Sequence, residues 1–302
     1  MKRRSLLALG LACAWVLSAA GRAEETTVPE HAKDLLGCWK KEQSETYFIL
    51  FEATRCKLLV EGQLQIFPVK YEAGKVILKS FGQKMEAGVE VKDGVLVMSG
   101  QEQTSFQRQK EVPEGMELKP LPLGAPKAIG MARLRTIQEE LAERLKADQA
   151  VRTDPTREAE MQRIDAENTG YLRKLVADIG WIDVPRFGAE SSQAAFLIVQ
   201  HSGELPLMLA ALPCIEKDVR AKRVDGQPYA LLYDRLKLYQ GEKQRYGTQI
   251  GRDATGAPAV LPLEDKAKVE EFRREIGIFP LSQYLALFKE QSGGKDVKFL
   301  EE

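Results

Sequence analysis

The hydrophobic rhythm of this chain changes once, near residue 110. Before that point short apolar, β-branched and aromatic runs recur at 38–41, 47–51, 57–60, 64–71, 75–79, 88–91, 95–98 and 104–108. Turn pairs such as Glu61-Gly62, Ala73-Gly74 and Asp93-Gly94 separate them, the usual chemistry of two-residue hairpins. Eight short strands at nearly even spacing predict a small antiparallel β-barrel over 34–109 or, less simply, a sandwich. At eight strands the interior can be filled by side chains, so a packed barrel is expected rather than a ligand-carrying calyx.

After the change the period is helical. Residues 110–129 form a connecting stretch with Pro113, Pro120, Pro122 and Pro126; proline makes such a linker semi-rigid. Residues 130–291 predict a mainly α-helical domain, and 292–302 a tail, so the fold class is α+β with two domains. On the first helix Leu134, Ile137, Leu141 and Leu145 step by three and four, one helix face. The second carries Met161, Ile164, Leu172, Leu175 and Ile179, with Asp154-Pro155 as its start and Gly180 as its stop. Six apolar residues in a row, 194–199, leave the third without a polar face and make it central. A fourth starts at Pro206 and is expected to break or kink at Pro213. A fifth spans 228–239 with Tyr229, Leu232, Leu236 and Tyr239 inward and Asp234 and Arg235 on its flanks. The Gly- and Pro-rich stretch 244–262 suggests a short hairpin from 246–250 and 259–263 or a long ordered loop, and two last helices are expected at 269–276 and 281–290.

Several polar residues interrupt these apolar stripes. The next two steps after Leu145 fall on Asp148 and Arg152, four apart and able to pair. Asn168 sits within the second stripe, and His201 follows Leu197 and Ile198 by one turn. Buried polar groups must be paired or must serve a function, so these positions are the candidate site.

Composition narrows the setting. Lys2, Arg3 and Arg4 precede an apolar stretch to Ser18, with small residues at Ser18, Ala20, Gly21 and Ala23. That is the pattern of a secretion signal over 1–23, too short to span a membrane comfortably. Cys13 raises a lipoprotein anchor, but Gly10 and the continuing apolar run argue against one. The mature protein is expected to be exported, to the periplasm or beyond, with no transmembrane segment. The chain holds 44 basic and 44 acidic residues, and removal of the signal leaves about −4. The basic run Arg220-Ala221-Lys222-Arg223 closes a helix and suits its dipole, so no nucleic-acid partner is expected. Beyond the signal the cysteines are Cys38, Cys56 and Cys214; Cys38 with Cys56 is the plausible bridge. There is no CxxC or HxxxH spacing, so neither a metal nor a cofactor is expected.

Two resemblances follow from particular residues. Gly37-Cys38-Trp39 resembles the G-x-W start of lipocalin-like barrels. Asp148-Gln149-x-x-Arg152, Asp165-Ala166-Glu167-Asn168-Thr169, Gly180-Trp181, Gln200-His201, Asp234-Arg235, Gln244-x-Tyr246-Gly247-Thr248-Gln249 and Arg273-Arg274-x-x-x-Gly277 occur in that order over 134–287. Together they resemble a bacterial family of domains of unknown function. The resemblance implies a helical domain and this choice of polar residues, and no chemistry. That family places Pro directly after Gly-Trp, whereas here Ile182-Asp183-Val184 precede Pro185; it often has Trp where Phe196 stands.

Three functions are weighed. In the first, Asp148, Arg152, Asn168, His201, Asp234 and Gln249 form a buried network of a structural or binding module. Arg152 and Arg235 would hold an anionic group of a small polar ligand, Trp181 and Tyr246 would pack on a ring or sugar, and Gln200 and Gln244 would add polar contacts. In the second, a hydrolase uses His201 as general base, oriented by Asp148 or Asp234, with Arg152 or Gln249 on a developing oxyanion. In the third, the barrel docks a partner protein or the envelope.

Overall fold

The computed structural model describes residues 28–80, 83–100, 102–152, 155–253, 255–291, 294 and 296–300. The expected signal over 1–23 and the Asp154 cap lie outside them.

Eight antiparallel strands follow a short 3-10 turn, Glu30–Leu35. They are β1 (Gly37–Lys41), β2 (Tyr47–Phe51), β3 (Arg55–Val60), β4 (Gln63–Glu72), β5 (Lys75–Ser80), β6 (Gln83–Lys92), β7 (Val95–Ser99) and β8 (Gln103–Gln109). Each pairs with the next, and β1 pairs with β8, which closes the barrel. At Glu61-Gly62 and Asp93-Gly94 both turn residues have positive φ, the mirror-image turn whose twist matches the strands. Trp39, Ile49, Phe51, Cys56, Tyr71, Val76, Leu96 and Phe106 fill the interior. Trp39 donates its indole N–H to Leu35 O at 2.8 Å, which ties the 3-10 turn to the barrel.

The expected Cys38–Cys56 bridge does not form; both are free, buried thiols. Cys56 belongs to the interior cluster, whereas Cys38 neighbours the inward Trp39 and so faces the other way. Strand β2 also lies between β1 and β3. Two strand spacings are about 9–10 Å, beyond the reach of about 7 Å between Cα atoms.

The helical domain holds α1 (Met131–Val151), α2 (Glu158–Ile179), α3 (Val184–Phe187), α4 (Ala189–Ser202), α5 (Leu205–Arg220), α6 (Gly226–Tyr239), α7 (Val269–Glu275) and α8 (Leu281–Gln291). Helix α4 is central, packing on α1, α2, α3, α5 and α6. Helix α2 starts after a 3-10 turn at Pro155–Arg157 and stops at Gly180, φ 77°. Of the three residues between Gly-Trp and Pro185, Val184 opens α3 and Asp183 caps it, accepting from Arg186 N at 3.1 Å. Helix α5 runs unbroken through Pro213, contrary to the expected break: neighbouring turns and a buried apolar face outweigh one missing N–H. The expected hairpin is shorter, β9 (Ile250–Arg252) with β10 (Pro258–Val260). The tail adds β11 (Lys298–Phe299), parallel to β10, so it is not a free end.

Residues 110–129 contain no helix or strand, but they do not act as a spacer. They form a strap across the helices. Leu121 N donates to Pro206 O at 2.8 Å and Gly124 N to Val176 O at 2.9 Å, while Leu118, Leu121 and Leu123 pack on the helical core. The barrel also joins that core through Ile66 of β4, and Arg55 pairs with Glu242 at 3.1 Å.

Candidate functional site

Three helices bring a polar cluster together. Asp148 lies near the end of α1, Asp165 on α2 and His201 in the last turn of α4. Asp148 is 2% exposed. Its Oδ1 lies 3.0 Å from His201 Nδ1 and accepts from Arg152 Nη2 at 2.5 Å; its Oδ2 accepts from Gln149 Nε2 at 2.6 Å. Arg152 Nη2 also donates to Asp165 Oδ1. An ionised carboxylate only accepts, so Nδ1 of His201 carries the proton. That leaves Nε2 as the free ring position, with no protein partner among the described residues.

The electrostatics follow this geometry. Burial works to raise the Asp148 carboxyl, but hydrogen bonds from His201 and Arg152 outweigh it and hold its pKa at about 2. Burial pushes Asp165 up, the neighbouring Asp148 adds to that, and Arg152 opposes it. Asn168 Oδ1 accepts from Arg144 Nη1 at 3.1 Å, and Arg144 stacks on Tyr171 at 4.0 Å. Donors are in surplus here: Arg144 Nε, Arg152 Nε and Asn168 Nδ2 are buried without acceptors.

Arg235 of α6 joins the cluster from the other side. Its Nη1 donates to Gln200 O at 2.5 Å and its Nε faces Gln249 Oε1 at 3.4 Å. With the Gln200 amide oxygen turned toward it, Gln200 accepts from Nε at 3.1 Å and Nη2 at 3.3 Å. These partners satisfy its hydrogen bonds and leave its charge uncompensated: no carboxylate pairs with Arg235 among the described residues. Burial lowers its pKa, and the Arg152 cation lowers it further.

The loop carrying Gln249 is held rigidly. Asp234 is fully buried. It accepts from the backbone N–H groups of Arg245, Tyr246 and Thr248 at 2.8–2.9 Å and from Thr248 Oγ1 at 2.8 Å. Gln244, also fully buried, donates to Gln249 O and Leu261 O and accepts from Gln249 N. Arg273 Nη1 donates to Tyr246 O at 2.5 Å and Tyr284 Oη to Thr248 O at 2.9 Å. Asp234 and Gln244 therefore shape the loop and make no hydrogen bond to His201, and Asp234 is no flank residue. Tyr246 is buried against Tyr229 and Tyr233. Trp181 belongs to the helical core. Neither ring touches the cluster through a hydrogen bond.

Asp165 and Gln149 stand in the sequence motifs without a site role assigned to them, and Arg144 stands in none. Asp165 precedes Asn168 by one turn on the same face, which is the signal that marks it. Asp148, Asp165 and His201 place ligand atoms within 4.8 Å of one another, a spacing a cation could use. Arg152 Nη2 already occupies it, against both carboxylates, so a guanidinium takes the cation's place.

The chain is thus an α+β protein whose barrel and strap support a helical domain with a polar site at its centre. Residues 135–298 match the family of unknown function DUF6624, and the chain belongs to that family. No curated protein and no solved structure matches it.

Proposed function

We propose that the helical domain binds a small ligand through an acidic group, with Arg235 as anchor and His201 and Arg152 beside it. Arg235 carries the reading: a partly buried cation with neutral partners alone is costly unless an anion completes it. Export, which the N-terminal pattern supports, makes this a ligand met outside the cytoplasm. The test is thermal unfolding with inorganic phosphate, citrate and succinate. A midpoint that rises with at least one of them in wild type, and not in Arg235→Gln, is the expected result. No rise with any of the three, or an equal rise in the variant, rejects it.

One observation favours a second reading, a hydrolase. The 3.0 Å contact of His201 Nδ1 with Asp148 orients the ring and leaves Nε2 to take a proton from water. Aryl ester and phosphoester turnover that disappears in His201→Ala would support it; rates equal to buffer would remove it. The barrel-docking reading has less behind it, since Met85 is the large apolar side chain exposed on the described barrel.

A further inference from the structure

Strand β4 has a partner on one side at a time. Residues 63–68 pair with β3, and the pairing with β5 begins at Val69. Val69 N donates to Thr54 O. Antiparallel ladders alternate, so Gln63, Gln65 and Phe67 turn their backbone groups toward β3, and Leu64 and Ile66 turn theirs away from it. The described residues form no hydrogen bond to the N–H or C=O of Leu64 or Ile66. Pro68, which has no N–H to offer, marks the end of this bare edge.

The edge runs along a cavity of about 940 Å³. Residues 63–67 line it, with the turn Glu61-Gly62, strap residues between 112 and 122, the turn from α4 into α5 and the end of α6 at Tyr239. No residue of β3 lines it, so the cavity lies on the free side of β4. The side chains of Leu64 and Ile66 pack on the helical core, whereas Gln63 and Gln65 are exposed. The edge is held from one face and open on the other.

The charge of the lining names the occupant. Its acids are Glu61, Glu114, Glu117 and Glu204, and its bases are Lys119 and Arg173, so four against two leaves −2. Lys119 is taken by Glu117 at 2.6 Å and Arg173 by Glu204 at 3.0 Å. Glu61 and Glu114 are exposed and pair with no cation among the described residues.

We propose that this edge docks an extended, cationic segment of a partner protein, which adds a strand to β4 along Leu64 and Ile66. An unpaired strand edge is a template for another chain, and strand addition binds through main-chain hydrogen bonds. Leu64 and Ile66 supply those groups, and Glu61 and Glu114 select lysine or arginine on the incoming chain. The contact rests on backbone and charge rather than on an exposed apolar patch, and it is independent of Arg235.

The probe is a seven-residue peptide of alternating lysine and valine, blocked at both ends, since main-chain recognition tolerates many sequences. Amide exchange at Leu64 and Ile66 in the full chain is followed by NMR and should slow about tenfold or more as the peptide saturates. The same peptide with every backbone nitrogen methylated, and one with glutamate for lysine, should give no protection. Glu114→Lys changes an exposed strap residue and should weaken binding about threefold or more at low salt. Leu64→Pro removes an N–H that the ladder with β3 does not use and should abolish protection at Ile66; if it does not fold, Glu114→Lys and the methylated peptide decide. No slowing at millimolar peptide, equal slowing by either control peptide, or an unchanged affinity in Glu114→Lys would overturn the proposal. Protection that needs no peptide and rises with protein concentration would also overturn it, giving the edge to a second copy of the chain.

Discussion

At Asp148 two opposing effects meet, and their balance sets a pH dependence. Burial raises the carboxyl, while His201 and Arg152 hold it at about 2, below the value of about 3.9 expected when unfolded. A depressed carboxyl contributes stability above its unfolded pKa and loses it as pH falls through the folded one. The loss therefore falls between about pH 4 and pH 2 and amounts to about 2–3 kcal/mol. Asp148→Asn removes the charge that pairs Arg152 and should cost about 3–5 kcal/mol near neutral pH. Urea unfolding of both proteins at pH 5, 3 and 2 checks this. A variant that loses as much stability on acidification as wild type would show that Asp148 does not carry the effect.

Among the elements, the strap shows how a stretch without helix or strand becomes structural. Its Gly124 lies where a methyl group would press on two backbone carbonyls, Ala177 O at 2.4 Å and Asp178 O at 2.8 Å. Gly124→Ala must lift the strap from α2 and break the Gly124 N to Val176 O bond. The expected cost is about 1–3 kcal/mol, with faster amide exchange confined first to the strap and the end of α2. Exchange unchanged there, with stability retained, would mean the strap is held elsewhere. The Gln244–Gln249 loop obeys the same logic with more anchors. Asp234, Gln244, Arg273 and Tyr284 all bind its backbone, so Gln249 is presented to Arg235 on a fixed support.

Over the whole molecule the barrel and the helical domain share apolar surface. Ile66 belongs to β4 yet packs in the helical core, and the close approach of Gly241 to Pro68 seats the end of α6 on the same strand. Ile66→Ala should cost about 2–5 kcal/mol and lower one cooperative calorimetric transition. Two transitions, with only the barrel's shifted, would show that the domains unfold separately. No helix among the described residues is long and apolar enough to cross a membrane.

Local pattern carried much of this molecule. A strand's period of two and its turn pairs act over a few residues, which is why all eight barrel strands were legible, although β6 begins at Gln83, five residues before the apolar run at 88–91 that marks it. The helical stripes were legible for the same reason, and the polar intrusions at Asp148, Asn168 and His201 proved buried or half-buried in the fold. What the pattern could not hold was distance between elements. Periodicity names a face without naming what faces it, and the order of motifs that set Asp234, Trp181 and Tyr246 beside His201 carries no distance either: packing gave them to a loop, the helical core and an aromatic cluster. It passed over Asp165, whose meaning comes from Arg152 on another helix. It left the strap as a spacer, because backbone contacts with α2 and α5 leave no mark on hydrophobic period. The residues and their local forms were determined by the sequence read along its length. The charge balance at Arg235 and the bare edge of β4 at Leu64 were decided by tertiary packing, which sets how far each polar atom stands from a partner and from water.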